Sequence, residues 1–74
     1  MKKHLFEIVF EKDKDGYFVY CPALQGCYTQ GRTYEEAFKN IKDAIRLHLA
    51  DRRRTHQPIP SPEAIGVTTL ELTV

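Results

Sequence analysis

Long apolar runs are missing from this chain of 74 residues, and so is a strong net charge. A helix needs about 20 apolar residues to cross a bilayer, and no segment approaches that length. The apolar stretch Leu5–Phe10 is interrupted by Glu7, which excludes a secretory signal. A net charge of +1 provides no strong field towards nucleic acid or a membrane. We therefore predict one cytoplasmic domain of bacterial type over residues 1–74, without membrane contact.

Cysteine and histidine are also scarce. Two cysteines, Cys21 and Cys27, do not make a disulfide framework in a chain without a secretory signal. The three histidines, His4, His48 and His56, do not stand at zinc-binding spacings. We expect both thiols to stay reduced and to pack as small apolar side chains. We predict neither a metal nor a cofactor.

Alternating side chains predict two antiparallel strands at the start of the chain. His4–Glu11 alternates with period two, and Tyr17–Cys21 is β-branched and aromatic. The polar segment Lys12–Gly16 is short enough to make these strands neighbours in a hairpin. The expected cross-strand pairs are Phe10 with Tyr17, Ile8 with Val19 and Phe6 with Cys21.

The next segment predicts a third strand and then a helix. Pro22–Gly26 reverses the chain into Cys27–Gln30, with Cys27 expected opposite Cys21. Thr33 and Glu36 form a capping box that starts the helix, with Glu36 expected to accept from the Thr33 amide. Apolar residues follow at three- and four-residue steps: Tyr34, Ala37, Phe38, Ile41, Ala44, Ile45, His48 and Leu49.

Three arginines, Arg52–Arg54, end the predicted helix. Favourable interaction with the helix dipole explains them, and phosphate contact is the alternative. Gln57–Pro62 is too rich in proline for a helix and predicts an extended connector. Val67–Val74 alternates again and predicts a fourth strand, parallel to the first because a helix connects them. The expected fold class is α+β, with order βββαβ: a mostly antiparallel four-stranded sheet with one helix on one face.

One sheet face is left without cover in this fold. The helix is expected to cover the face of Phe6, Ile8 and Phe10, so the opposite face meets solvent. An aromatic open face in so small a domain is a candidate contact surface, and a merely solvated sheet face is the alternative. The candidate protein-binding residues are those of the open face and Leu47, which falls off the helix stripe: Leu5, Val9, Phe18, Tyr20, Tyr28 and Leu47. We also expect this bare face to drive self-association, most simply as a two-fold dimer.

No catalytic constellation is visible in the sequence. Metal-assisted phosphodiester hydrolysis needs several carboxylates that converge on cations. Glu7 and Glu11 fall on the open face, whereas Glu35 and Glu36 are explained by the start of the helix. No glycine-rich phosphate loop is present. We therefore expect no catalytic residue, and a binding module rather than an enzyme.

A set of spaced residues resembles the HicB family of antitoxins. They are Gly16-Tyr17, Pro22, Leu24, Gly26-Cys27, Thr29-Gln30-Gly31, Thr33, Glu35-Glu36-Ala37, Asn40-Ile41, Ala44-Ile45 and, after the helix, Pro58-Ile59-Pro60. The resemblance covers nearly the whole chain, and its block from Gly26 to Thr33 is quite specific. It implies a partial ribonuclease-H-like fold. It also implies an antitoxin of a type II toxin–antitoxin pair, which neutralises a small HicA-like, mRNA-cleaving ribonuclease by occlusion.

The chain departs from the family pattern at three turn and cap positions, Ala23, Gln25 and Arg32. Many members also carry a C-terminal helix-turn-helix or ribbon-helix-helix domain, whereas this sequence ends at Val74. We therefore expect no C-terminal DNA-binding domain and no operator binding by this chain alone. The alternative function is an orphan oligomeric scaffold or small-ligand-binding module without a toxin partner.

Overall fold

Three strands and one helix make up the fold of the computed structural model, which describes residues 3–60, 62 and 64–74. The elements are β1 (Val9–Asp13), β2 (Gly16–Tyr20), β3 (Tyr28–Gly31) and α1 (Tyr34–Arg54). The strands form an antiparallel sheet in the order β1-β2-β3, and α1 packs on one face, mainly against β3 and β2. The α+β class is confirmed as three antiparallel strands followed by one long helix.

The first hairpin is tighter than predicted. Asp13 pairs with Gly16, so the turn holds only two residues. Phe10 therefore lies opposite Val19, and the predicted pairing of Phe10 with Tyr17 is wrong by two positions. The predicted pairs Ile8 with Val19 and Phe6 with Cys21 are wrong for the same reason. Because side chains alternate with period two, each residue nevertheless keeps its predicted face.

β1 begins at Val9, later than the predicted start at His4. The reason lies in its neighbour: β2 ends at Tyr20, and Pro22, which lacks an amide hydrogen, follows where the chain turns away. Residues 3–8 consequently extend beyond the end of β2. Their alternation persists even so, because Phe6 and Ile8 are partly buried against the core while Leu5 and Glu7 are exposed.

The prediction that Cys27 lies opposite Cys21 on the neighbouring strand is confirmed. Tyr20 pairs with Tyr28, and one step further the Cys21 amide donates to the Cys27 carbonyl at 3.0 Å. Both cysteines are free thiols, almost fully buried. Burial, and secondarily the neighbouring Cys21, raises the pKa of the Cys27 thiol. Burial thus keeps the Cys27 thiol neutral, and both cysteines contribute to the core as small buried side chains.

The helix start shows the predicted cap with one change of partner. The Thr33 hydroxyl accepts a hydrogen bond from the Glu36 amide at 3.1 Å. The Glu36 carboxylate accepts from the Arg32 amide at 2.9 Å, one residue before the expected Thr33 amide. Both bonds satisfy amides that the helix itself cannot.

A single small core lies between the sheet and the helix. Its fully buried members are Val19, Cys21, Leu24, Cys27, Ala37 and Ile41. Ala44, Ile45 and Leu49 pack against this cluster, as the helix stripe predicted. Leu24 was expected only in the chain reversal, yet it is among the largest buried side chains, because the reversal folds over the end of the core.

The predicted fourth strand is not observed. Within the described residues, 64–74 belong to no sheet and make no backbone hydrogen bond to the rest of the chain. Leu70 and Leu72 are 77% and 72% exposed. The connector before this segment is irregular at 57–60, and its Ser61 lies outside the described residues. The sheet of the described residues therefore has three strands, because residues 67–74 pair with none of them.

Two of the three arginines have structural partners at the end of α1. The Arg52 guanidinium donates to the Pro58 carbonyl at 3.0 Å, and Arg54 is paired with Asp51. These contacts favour the helix-end role over phosphate contact. No helix in the part of the chain that the structure describes is long and apolar enough to cross a membrane.

Candidate protein-binding face

The sheet face opposite α1 carries a cluster of aromatic side chains. Tyr20 is the cross-strand partner of both Val9 in β1 and Tyr28 in β3, so these three residues form one row across the sheet. Phe18 lies in the adjacent row, with its ring centroid 5.9 Å from that of Tyr20 and 5.8 Å from that of Tyr28. We call these four residues, Val9, Phe18, Tyr20 and Tyr28, the aromatic face.

Strand alternation is what places these rings on one side. In β2, Val19 points into the core and is fully buried, whereas its neighbours Phe18 and Tyr20 point the other way. Phe18 is 39% exposed and Tyr28 is 63% exposed. Rings held this way against each other keep much of their apolar surface in water while losing little freedom. They are therefore already ordered for contact with a partner.

Polar residues surround the rings. The cross-strand partners of Phe18 are Glu11 in β1 and Gln30 in β3. An apolar centre with a polar rim is the usual anatomy of a protein–protein contact surface. A shallow depression of about 530 Å³ lies beside the rings and is bounded by the chain reversal at 22–26. Small-molecule sites enclose most of their ligand, so this open surface suits a macromolecule better.

The structure brings together four of the six predicted site residues. Leu5 is apart from the aromatic face: it is 95% exposed on the segment that extends beyond the end of β2. Leu47 is also apart, because it is 73% exposed on α1, and α1 lies on the opposite face of the sheet. Gln30 was not predicted as part of the site. The period-two pattern of β3 could have found it, once Tyr28 was placed on this face.

No metal site is evident in the part of the chain that the structure describes. Across residues 3–60, 62 and 64–74, no group of three or more His, Cys, Asp and Glu side chains is placed to hold an ion. His48, in the middle of the helix stripe, is half-buried. The aromatic face thus remains the strongest candidate for function.

Known proteins resemble this chain over most of its length. Residues 6–72 match the family described as "HicB_like antitoxin of bacterial toxin-antitoxin system". A "UPF0150 protein" of Helicobacter pylori is 55% identical over 47 residues, which are 64% of this chain and 65% of that protein. Another, from Thermoplasma acidophilum, is 42% identical over 64 residues, covering 85% of this chain and 93% of the relative.

A solved structure has the same fold. It is titled "HicA3 and HicB3 toxin-antitoxin complex", and it matches with a TM-score of 0.65 and 26% sequence identity. The match covers 82% of this chain and 72% of that chain. The hairpin, the short third strand and the capped helix are therefore the features of a known architecture. With the match over residues 6–72, they show that this chain belongs to the family of HicB-like antitoxins of bacterial toxin–antitoxin systems.

Proposed function

We propose that this chain is the antitoxin of a type II toxin–antitoxin pair and that it neutralises a small HicA-like, mRNA-cleaving ribonuclease by direct contact. The observation that carries the proposal is the family match over residues 6–72. The similarity to a structure titled as a toxin–antitoxin complex, at 26% identity over 82% of this chain, supports it. The site of action would be the cytoplasm, where the mRNA substrate of such a toxin is found.

The aromatic face is the surface we propose for toxin contact. Aromatic residues are enriched among those that dominate binding energy, and here the rings of Tyr20 and Tyr28 each lie within about 6 Å of the Phe18 ring. A standard interface buries roughly 800 Å² on each partner. The aromatic face with its rim of Glu11 and Gln30 could supply the centre of such an area. Leu47 lies on the other layer of the molecule and is not part of this proposed contact.

Inhibition would operate by occlusion rather than by catalysis. Two carboxylates that could act as catalytic groups lie in separate places in the structure. Glu36 caps the start of the helix, and Glu11 lies opposite Phe18 on the aromatic face. A protein inhibitor needs only a stable interface across the catalytic groove of its target. The contact alone can therefore account for neutralisation.

Co-expression tests the proposal. The small open reading frame adjacent to the gene for this chain is expressed with and without the chain, and growth and mRNA integrity are followed. The proposal expects arrest and mRNA cleavage without the chain, and recovery with it. If the adjacent frame is not toxic, or if the chain does not restore growth, the antitoxin role fails.

Two charged variants locate the contact. Tyr28→Glu places a charge in the aromatic face, and Leu47→Glu places the same charge on the outer side of α1. We expect Tyr28→Glu to abolish rescue and Leu47→Glu to preserve it, with both proteins equally helical by circular dichroism. The reverse pattern would move the toxin site to the helix layer.

A further inference from the structure

Two segments of the chain have strand-like sequences but no strand beside them. One is residues 4–8, immediately before β1, and the other is residues 67–74, which we call the C-terminal arm. Leu70 and Leu72 lie on one side of the arm, and Thr69, Glu71 and Thr73 lie on the other by period-two alternation. The apolar side chains of the arm are all at least 72% exposed. Exposure of an apolar strand to water is unfavourable, and it indicates that another strand covers the segment in the assembled protein.

The sheet offers an open edge for such a neighbour. β1 is an edge strand, since the order is β1-β2-β3, and the helix packs mainly on β3 and β2. Phe6, Ile8 and Phe10 along this edge are only partly buried. An added strand beside 4–11 would pair with the free backbone groups of the edge. Its inward side chains would also complete the cover over these three residues.

The arm matches this edge in length and pattern. Residues 4–11 and residues 67–74 have equal length, and each has one mainly apolar side, with Phe6, Ile8 and Phe10 in the first segment and Leu70, Leu72 and Val74 in the second. With Leu70 and Leu72 facing the helix side, Glu71 would face the solvent side. This orientation places the polar side of the arm in water and both leucines against the uncovered part of the core, with Thr68 beside them at the start of the arm.

The connector directs the arm away from its own sheet. Arg52 holds the Pro58 carbonyl at the end of α1, and prolines at 58, 60 and 62 favour a stiff, extended chain. The radius of gyration is 14.3 Å, compared with about 11 Å for a compact domain of this length. The longest dimension of the molecule is 44 Å. The arm thus extends away from the domain instead of folding back beside β1.

We propose that the C-terminal arm of one copy docks as a fourth strand on residues 4–11 of a second copy, and the reverse, in a two-fold strand-exchanged dimer. Exchange of an identical element is a recognised route to symmetric dimers. Burying a valine or leucine side chain removes roughly 60–120 Å² from water. Leu70, Leu72 and Val74 on the inward side of two arms, with the surface beneath them, give about 700–1,400 Å², which overlaps the lower part of the roughly 1,200–2,000 Å² of stable interfaces.

This dimer does not depend on the proposed toxin. It would leave the aromatic face free, because the arm adds to an edge and not to a face. It also replaces the aromatic face as the expected surface of self-association. The predicted fourth strand would then form only between two copies.

Paired variants of the full chain test the exchange. The double variant Leu70→Glu with Leu72→Glu charges the inward side of the arm, and the control Thr69→Glu with Thr73→Glu adds the same charge to its outward side. By sedimentation at tens of micromolar, we expect the wild type and the control to be dimers of twice the 8.6 kDa monomer mass. We expect the leucine variant to be monomeric, with a dimer dissociation constant raised more than about 100-fold. A monomeric wild type, or a leucine variant that stays dimeric, would overturn the proposal.

Isotope-filtered NMR separates exchange between copies from closure within one copy. In an equimolar mixture of labelled and unlabelled chains, we expect contacts between Leu72 methyl groups of one copy and Ile8 of the other. Contacts confined to single molecules would overturn the proposal, as would an arm that becomes ordered only when a toxin is added. Because no toxin is needed for the first result, failure here is distinguishable from failure of the antitoxin role.

Discussion

The two faces of the sheet are made by the same strands and serve different purposes. In β2, Val19 is fully buried under the helix, whereas its neighbours Phe18 and Tyr20 belong to the open side. The core face packs against Ile41 and Ala37, whereas the rings of the aromatic face contact one another on the side away from the helix. Stability and partner binding should therefore be separable by mutation, one face at a time.

The largest effect on stability is expected at the centre of the core face. Ile41→Ala removes a side chain that is almost fully buried between helix and sheet. Such truncations leave a cavity and cost about 2–5 kcal/mol of the free energy of unfolding. In so small a domain this could unfold the protein outright. Chemical denaturation measures it, and the matched control Leu47→Ala, on the exposed side of the same helix, should change stability by less than about 0.5 kcal/mol.

The aromatic face should show the opposite pattern. Tyr28→Ala removes a ring that is 63% exposed, so the free energy of unfolding should change by no more than about 1 kcal/mol. Loss of a central aromatic contact commonly costs about 2 kcal/mol or more in binding, which is roughly a 30-fold weaker toxin complex. Calorimetry of binding and denaturation of the same variant check both values. Unchanged toxin affinity would contradict the assignment of this face.

A smaller loss of stability is expected at Gly31, where the backbone of β3 lies close to the backbone of α1. An added Cβ at Gly31 would lie 2.5 Å from the Ala37 amide nitrogen, so the start of the helix would have to move off β3. We expect Gly31→Ala to destabilise the fold by about 1–3 kcal/mol, as overpacking does elsewhere. Gly66→Ala is the matched control, because its Cβ would meet nothing within 4 Å. Equal melting temperatures for the two variants would show that the layers are less tightly joined than the structure indicates.

The smallest effect is expected at the helix cap. Thr33→Ala removes the oxygen that accepts from the Glu36 amide, and it should cost about 1 kcal/mol. Thr33→Ser keeps the hydroxyl and should restore most of that loss. Thermal unfolding of the three proteins measures the difference. If the serine variant is no more stable than the alanine variant, the cap contributes nothing through its hydroxyl.

Local features of this fold were predictable from the sequence, whereas features that depend on a distant partner were not. The residues of each sheet face, the Thr33 cap and the helix stripe follow from spacing over a few positions. The hairpin pairing was wrong by two positions, because strand patterning leaves the turn length open. Because a shift of two positions is a whole period of strand alternation, it left each paired residue on its predicted sheet face.

Other differences arise where the neighbouring chain decides the structure. β1 starts late because β2 ends before Pro22, and residues 67–74 remain unpaired because no strand lies beside them. Leu24 was missed as a core residue, since a turn sequence gives no periodic signal for burial. Four of the six candidate site residues share one surface, and Leu47 lies on the opposite layer, as its place on the predicted helix implied.

Inhibition of RNA cleavage in a purified system tests the central claim most directly. The product of the adjacent small open reading frame is mixed with an mRNA substrate and increasing amounts of this chain. We predict that cleavage falls to zero near a stoichiometric ratio, and that Tyr28→Glu requires at least about tenfold more protein for the same inhibition, whereas Leu47→Glu matches the wild type. Cleavage that continues unchanged in an excess of the wild-type chain would contradict the proposed function.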